Sequence, residues 1–316
     1  MIYETLLVTG CGGDIGLAIG DIVRREHLAR RVIGCDAVSD HAGPAVFDYC
    51  AVAPSANDRS YISWIEAFIA ENGIDAVVPT SEAELARLLQ DEKLESLAGK
   101  PVVAANAKAI TIGLDKFLTN RTLIENRLPA PWTRIVGECP PPSLPCIIKQ
   151  RRGQGSKGFL RIDATTPELV TRLTTERAGD IWQELILPDD QEYTCGLYRL
   201  RDGTVRSIVF RRQLRGGLTT MAEVVENEKI ERTLHEIATV LELRGAINVQ
   251  LRFDREGPKV FEINPRFSST VGFRHALGFR DFVWALLESR GMSVESYCPP
   301  KVGTRIFRGS YPIVLR

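Results

Sequence analysis

The chain has 316 residues, and 40 Lys plus Arg are balanced by 40 Asp plus Glu, so its formal net charge is zero. That balance makes no electrostatic case for nucleic acid or for an anionic membrane surface, and no apolar run approaches the roughly 18 residues of a membrane span. The seven cysteines include no CxxC pair and the four histidines no HExxH arrangement, which argues against a zinc hydrolase and for reduced thiols in a cytoplasmic protein.

The length allows two or three structural units. The N-terminus enters a strand almost at once (residues 4–9), and Glu4 stands where a signal peptide would be basic. A helical pattern over 15–27 is followed by a strand over 31–35 that ends in Asp36, a helix over 62–71, and a strand over 76–79. A helix over 82–89 and a strand over 101–103 complete this part. Strands alternating with helices at this spacing predict a parallel, Rossmann-like α/β sheet with right-handed crossovers.

The character changes near Asp115. A helix over 116–127 leads into the Pro-rich connection GECPPPSLP (137–145). Short strands are then expected over 146–150, 158–162, 181–185, 192–200 and 205–213, with a helix over 168–175 between them and a longer one over 224–243. The stretch GAINVQLRFDREGPKVFEINPRFSST (245–270) holds two strand-like runs joined at Gly257-Pro258, followed by a helix over 279–290. This half reads as α+β.

Two glycine loops stand out. The first, TGCGGDIG (9–16), lies between a strand and a helix, and Gly10, Gly13 and Gly16 match TGxxGxxG, with Asp36 where a dinucleotide ribose would be held. The catalytic Tyr and Lys that such dehydrogenases and epimerases carry on a helix are lacking. The only YxxxK, Tyr297 to Lys301, is interrupted by Pro299-Pro300. The second loop, KQRRGQGSKG (149–158), lies between two strands and lacks the order GxxxxGK[ST], which excludes a Walker P-loop. Its glycines let backbone N–H groups approach phosphate oxygens, and a flap of this kind can shut water out of a phosphoryl-transfer site.

In FEINPR, strand alternation sends Glu262 and Asn264 to one face, with Arg266 continuing the line if the strand persists through Pro265. Gln250 joins them if the two runs pair antiparallel. Carboxylate and amide oxygens suit Mg²⁺, and an adjacent arginine suits phosphate or a developing oxyanion.

Taken in order, these pieces resemble the ATP-grasp superfamily, most closely the synthetase halves of the carbamoyl-phosphate synthase large chain. DKFLTNRTL (115–123) is similar to the helix that opens the grasp region, IIKQRRGQGSKG to the strand and loop over the triphosphate, and WQELILPDDQEYT (182–194) to the hinge strand. GAINVQ and FEINPRFSST are similar to the metal-binding strands. The resemblance implies a pre-grasp α/β domain (1–113), a small grasp subdomain with the glycine flap (114–186) and a large subdomain carrying the Mg²⁺ and phosphate site (187–316), with ATP bound between the last two.

It further implies that Lys116 and Lys149 contact ATP phosphates beneath Gly153, Gly155, Ser156 and Gly158. Glu184 and the backbone near Leu185 and Ile186 would meet the adenine edge, and Glu192 the ribose hydroxyls. Gln250, Glu262 and Asn264 would hold one or two Mg²⁺, and Arg266, with Lys149, would act on the transferred phosphoryl group. Gln250 replaces the carboxylate that many such ligases carry there.

The implied activity is ATP-dependent ligation of a small carboxylate to a small amine through an acyl phosphate, with ATP and Mg²⁺ required and neither nucleic acid nor membrane involved. A homodimer is common in that family, although no feature here demands one. The alternatives are an NAD(P)-dependent sugar epimerase or reductase built on the first loop, and a catalytically silent nucleotide-binding scaffold. Arg211, Arg212, Arg274, His275, Ser81 and Glu82 are further candidates for lining the substrate site.

Overall fold

The computed structural model describes residues 1–153, 158–188, 191–309 and 312–315. Strand β1 (Tyr3–Thr9) is buried at every position but Glu4, as a strand covered on both faces must be. Helix α1 (Asp14–Arg25) returns the chain to β2 (Ala29–Asp36), which pairs parallel to β1. Strand β3 (Tyr49–Val52), helix α2 (Tyr61–Asn72) and β4 (Ala76–Val78) complete a parallel sheet of order β3-β2-β1-β4. Sequence reasoning missed β3 because this short edge strand alternates weakly and exposes Tyr49 and Val52.

Helix α3 (Glu82–Gln90) starts at a capping box between Ser81 and Glu84. The strand expected over 101–103 is reduced to a two-residue hairpin, β5 (Ser96–Leu97) with β6 (Lys100–Pro101), and a single parallel bridge from Val102 to Val77. Pro101 has no N–H to donate to a longer ladder.

Helix α4 (Ala107–Gly113) was not anticipated; α5 (Lys116–Glu125) was, but it ends at Asn126, and Arg127 takes a φ of 59°. Strands β7 (Thr133–Ile135), β8 (Cys146–Lys149) and β9 (Leu160–Ile162), helix α6 (Pro167–Glu176) and strand β10 (Ile181–Glu184) form the middle unit. Its antiparallel sheet has the order β7-β10-β8-β9, around a separate core of Val136, Cys146, Ile148, Ile162, Leu173 and Trp182.

The last unit begins with β11 (Glu192–Arg199), β12 (Val205–Arg215) and β13 (Leu218–Val224). Helix α7 (Glu228–Val240) starts four residues later than its pattern predicted, because Val224 ends β13 and the Asn227 side chain caps the helix. Then come β14 (Gly245–Phe253), β15 (Pro258–Asn264), α8 (Val271–Ala276), α9 (Asp281–Ser289) and β16 (Arg305–Phe307). The sheet order is β15-β14-β11-β12-β13-β16.

The parallel sheet and this six-stranded sheet share their cores. Leu7, Ile33 and Val77 belong to one cluster with Leu197, Ile247 and Val249, while Leu6, Val8 and Val78 belong to another with Phe267, Val271 and Trp284. The middle sheet, with a core of its own, faces them from across the polar groups described next. Among the described residues, no helix is long and apolar enough to cross a membrane.

Candidate active site

Strands β14 and β15 pair antiparallel, with Gln250 opposite Glu262 and Asn248 opposite Asn264. The three expected metal ligands therefore share one face. Beyond Gln250 the register shifts, and Leu251 faces Val260, which leaves Phe261 as the extra residue of a β-bulge. Its carbonyl accepts from Lys149 Nζ at 3.3 Å, reaching across from β8, and the same ammonium lies 5.4 Å from the Phe261 ring centroid.

Lys149 is half-buried at the end of its strand. Burial pushes its ammonium down to about 8, Glu262 pulls it back up, and Lys116 pushes it down again. Two lysines and a carboxylate thus form one electrostatic cluster. Lys116 Nζ stands 3.6 Å from Glu262 Oε1 and donates to the Gly153 carbonyl at 2.6 Å. Asp115 fixes Lys116 by capping α5, accepting from Phe117 N and Leu118 N, and by pairing with Arg151 at 2.8 Å. The start of the glycine loop is therefore tied to the helix that carries Lys116. Gly153 and Gly158 take φ values of 110° and 70°, open to glycine at little cost. Gly155 and Ser156 lie outside the described residues.

Strand β15 does not persist through Pro265, which has no N–H for a ladder. Arg266 nevertheless turns back and donates to Asn264 Oδ1 at 3.2 Å. It also pairs with Glu82 Oε1 at 3.1 Å, so the first residue of α3 is part of the same cluster. Close packing of Pro265 depends on Gly113, where a Cβ would fall 2.9 Å from the proline ring.

Glu192 is buried, and both carboxylate oxygens are engaged. Arg212 donates to Oε1 (its Nε at 3.1 Å), and Arg252 to Oε2 at 2.6 and 2.9 Å. Burial works to raise this carboxyl, but Arg212 and Arg252 outweigh it and hold it below the usual range. Arg212 Nη2 also donates to Gln250 Oε1 at 3.1 Å. Glu184, at the end of β10, pairs with Lys259 of β15 at 2.7 Å, and its Oε2 accepts from Trp132 N at 3.3 Å. Leu185 and the buried Ile186 follow on the segment that leads from the middle sheet toward β11.

The structure thus places Lys116, Lys149, Gly153, Gln250, Glu262, Asn264 and Arg266 in one connected polar cluster on and beside β14 and β15, with Glu192 and Glu184 in ion pairs at its margin. Arg252 was missed, although it stands two residues beyond Gln250, a spacing that suggests a shared face. Arg212, a candidate for the substrate site, joins the Glu192 end instead. Arg274 and His275 do not line the site: Arg274 is fully buried against Asp281 at 3.2 Å, and His275 pairs with Glu26 of α1's C-terminal end at 3.3 Å.

One carboxylate and two amide oxygens on a shared face are hard donors, and Asn264 Oδ1 and Gln250 Oε1 already accept from cationic groups. That donor set fits Mg²⁺. Flanked by two ammonium groups and two guanidinium groups, it suits a polyphosphate.

The family described as "ATP-grasp in the biosynthetic pathway with Ter operon" matches residues 185–308. A D-alanine–D-alanine ligase of Mycobacterium bovis (strain BCG / Pasteur 1173P2) is 27% identical over 145 residues, covering 42% of this chain and 38% of the ligase. The chain therefore spans 38% of the length of that curated relative. The fold is similar to the ADP complex of purK, an N5-carboxyaminoimidazole ribonucleotide synthetase, with a TM-score of 0.72 at 16% identity over 96% of this chain and 80% of that one. It is also similar to a biotin carboxylase–β,γ-ATP complex from Campylobacter jejuni, with a TM-score of 0.73 at 15% identity over 96% and 74%.

Proposed function

We propose that this chain is an ATP-dependent carboxylate–amine ligase of the ATP-grasp type, acting through an acyl phosphate; the family match over residues 185–308 and the similarity to a D-alanine–D-alanine ligase support the reading. The observation that carries the reading is the convergence of Lys116 and Lys149, from two different elements, on Glu262, whose strand partner is Gln250. A buried and a half-buried lysine beside a set of hard oxygen donors suit a Mg-ATP triphosphate. The similarity to a ligase that joins two D-alanines supports carbon–nitrogen bond formation.

In the first step an oxygen of the substrate carboxylate attacks the γ-phosphorus, the bond to the bridging oxygen breaks, and ADP leaves. Lys116 and Lys149 hold the phosphates, and Arg266 meets the charge on the transferred group. Gln250, Glu262 and Asn264 would hold Mg²⁺, which supplies neutralisation of phosphate charge. In the second step an amine nitrogen attacks the acyl carbon. The C–N bond forms, phosphate departs with the C–O electrons, and the surplus proton passes to solvent. Exclusion of water from the site, where Lys116 meets the Gly153 carbonyl, would protect the acyl phosphate from hydrolysis.

The test is a screen for ADP and phosphate release over amino acids and small carboxylates, each with a pool of amines. Release of both products that depends on a carboxylate and an amine together supports the ligase. ADP formation without phosphate, or with a stable phosphorylated product, points to a kinase instead. Thermal stabilisation by NAD(P)H and not by Mg-ATP would overturn the reading altogether.

A further inference from the structure

Outside the residues assigned to the phosphate site, the first glycine loop joins a cluster of side chains of a different chemistry. Cys11 lies in the turn after β1, Asp36 ends β2, His41 follows in the next segment, and Cys50 sits on β3. Cys11 Sγ is 4.0 Å from Cys50 Sγ and 3.8 Å from His41 Nε2. The ligand atoms of Cys11, Asp36 and His41 all lie within 4.8 Å of one another.

A tetrahedral ion bound at about 2.3 Å from sulfur and about 2.0 Å from nitrogen or oxygen sets its ligand atoms roughly 3.3–3.8 Å apart. The separations from Cys11 to His41 and to Cys50 therefore need only small contractions, whereas Cys50 stands outside the group of ligand atoms that all lie within 4.8 Å, so its thiol closes on Asp36 and His41 as the site loads. Asp36 is already oriented, with Oδ2 accepting from Gly12 N at 3.0 Å and Oδ1 from Val38 N at 3.1 Å. Such support is typical of a ligating carboxylate. Three glycines make the room. A Cβ on Gly12 or Gly43 would fall 2.6 Å from the His41 ring, and one on Gly34 would fall 2.7 Å from Cys11 Sγ.

We propose that Cys11, Asp36, His41 and Cys50 form a structural zinc site that ties the first glycine loop to the segment between β2 and β3. Two thiolates and an imidazole select Zn²⁺ over the Mg²⁺ suited to the phosphate site. Each thiol gives up its proton on ligation. Gly43 N donates to His41 Nδ1 at 3.0 Å, which places the ring proton on Nε2, facing Cys11. Ligation through Nε2 moves that proton to Nδ1 and turns the Gly43 N–H aside, so the 41–43 turn shifts on loading. The four ligands come from separated stretches of chain, which is why no spacing motif announces them.

The test uses the full chain, purified without chelator and passed through gel filtration, with zinc measured by mass spectrometry and Co²⁺ substituted as a spectroscopic probe. The expected result is about one equivalent of zinc and a thiolate-to-cobalt charge-transfer band. Cys50→Ser and His41→Ala, both at half-buried positions, should each stay folded by circular dichroism and lose at least ~10-fold in zinc affinity. Three outcomes overturn the proposal: a folded wild-type chain that takes up neither Zn²⁺ nor Co²⁺, undiminished zinc affinity in both variants, or a Cys11–Cys50 disulfide in the purified protein. None of these readouts depends on ligase activity.

Discussion

Glu82 and Arg266 meet at 3.1 Å, their side chains only 11% and 10% exposed, and so join the parallel-sheet half of the chain to the segment just beyond the end of β15. Arg266 also donates to Asn264, which places a carboxylate from the N-terminal half one residue away from a proposed Mg²⁺ ligand. Loss of an arginine that meets transition-state charge typically costs on the order of 10²–10³ in rate. Arg266→Ala should lower ADP formation by about that factor, and Glu82→Ala by less. Because the two groups act as one unit, the double variant should be no slower than Arg266→Ala alone. Full multiplication of the two single losses would show that they act independently.

Glu262 carries the one carboxylate of the proposed Mg²⁺ set and faces both lysines. Glu262→Gln should keep the fold, because the change is nearly isosteric. It should weaken the Mg²⁺ dependence of nucleotide binding by at least ~10-fold and abolish ADP release. Calorimetric titration with ADP at varied Mg²⁺ reads this directly, and a variant with unchanged Mg²⁺ dependence would remove Glu262 from the metal site.

Lys149 should give nucleotide binding a pH dependence. Its ammonium is pushed down to about 8 by burial, so the free protein loses this charge as pH rises through that value. ATP affinity should fall by about three- to tenfold between pH 7 and 9. Lys149→Arg stays charged across that range and should flatten the profile, whatever it does to absolute affinity. The stability effect has the opposite sign. The unfolded chain binds more protons than the folded one above pH 8, so the cost of burying the ammonium is relieved as pH rises. An affinity profile that is equally steep in both proteins would assign the titration to another group.

Glu192 is one of the carboxyls that contribute to acid behaviour. Against its burial, Arg212 and Arg252 hold its carboxyl below the usual range, so its contribution is present above the unfolded value of about 4.3. It is lost as pH falls through the lower folded value. Glu192→Gln leaves two guanidinium groups short of a buried partner and should cost on the order of 3 kcal/mol at neutral pH. The gap between wild type and variant should narrow on acidification from pH 5 to pH 3 in chemical denaturation. A constant gap would mean that this carboxyl does not titrate with folding.

The chemistry of the site was more legible than its construction. Alternation alone put Glu262 and Asn264 on one face of β15, while the centre of the glycine-rich loop expected over the phosphates lies outside the described residues. Strand β3 escaped because a four-residue edge strand has too little period to register. Helix α7 was begun too early, because the apolar run crosses from β13 into the helix, and only the Asn227 cap marks the break.

By itself the sequence determined what short-range physics can carry: the alternation of strands and helices, the glycine and proline breaks, and the facing of residues two apart on a strand. Tertiary structure alone decided that Gln250 stands opposite Glu262, that a bulge at Phe261 presents a carbonyl to Lys149, and that Arg212 and Arg252 close on Glu192. It also brought Glu82 to Arg266, and Cys11 to His41 and Cys50. The reason is physical. Strand register and sheet order are selected by burial of whole faces across distant segments, and no local window holds that information.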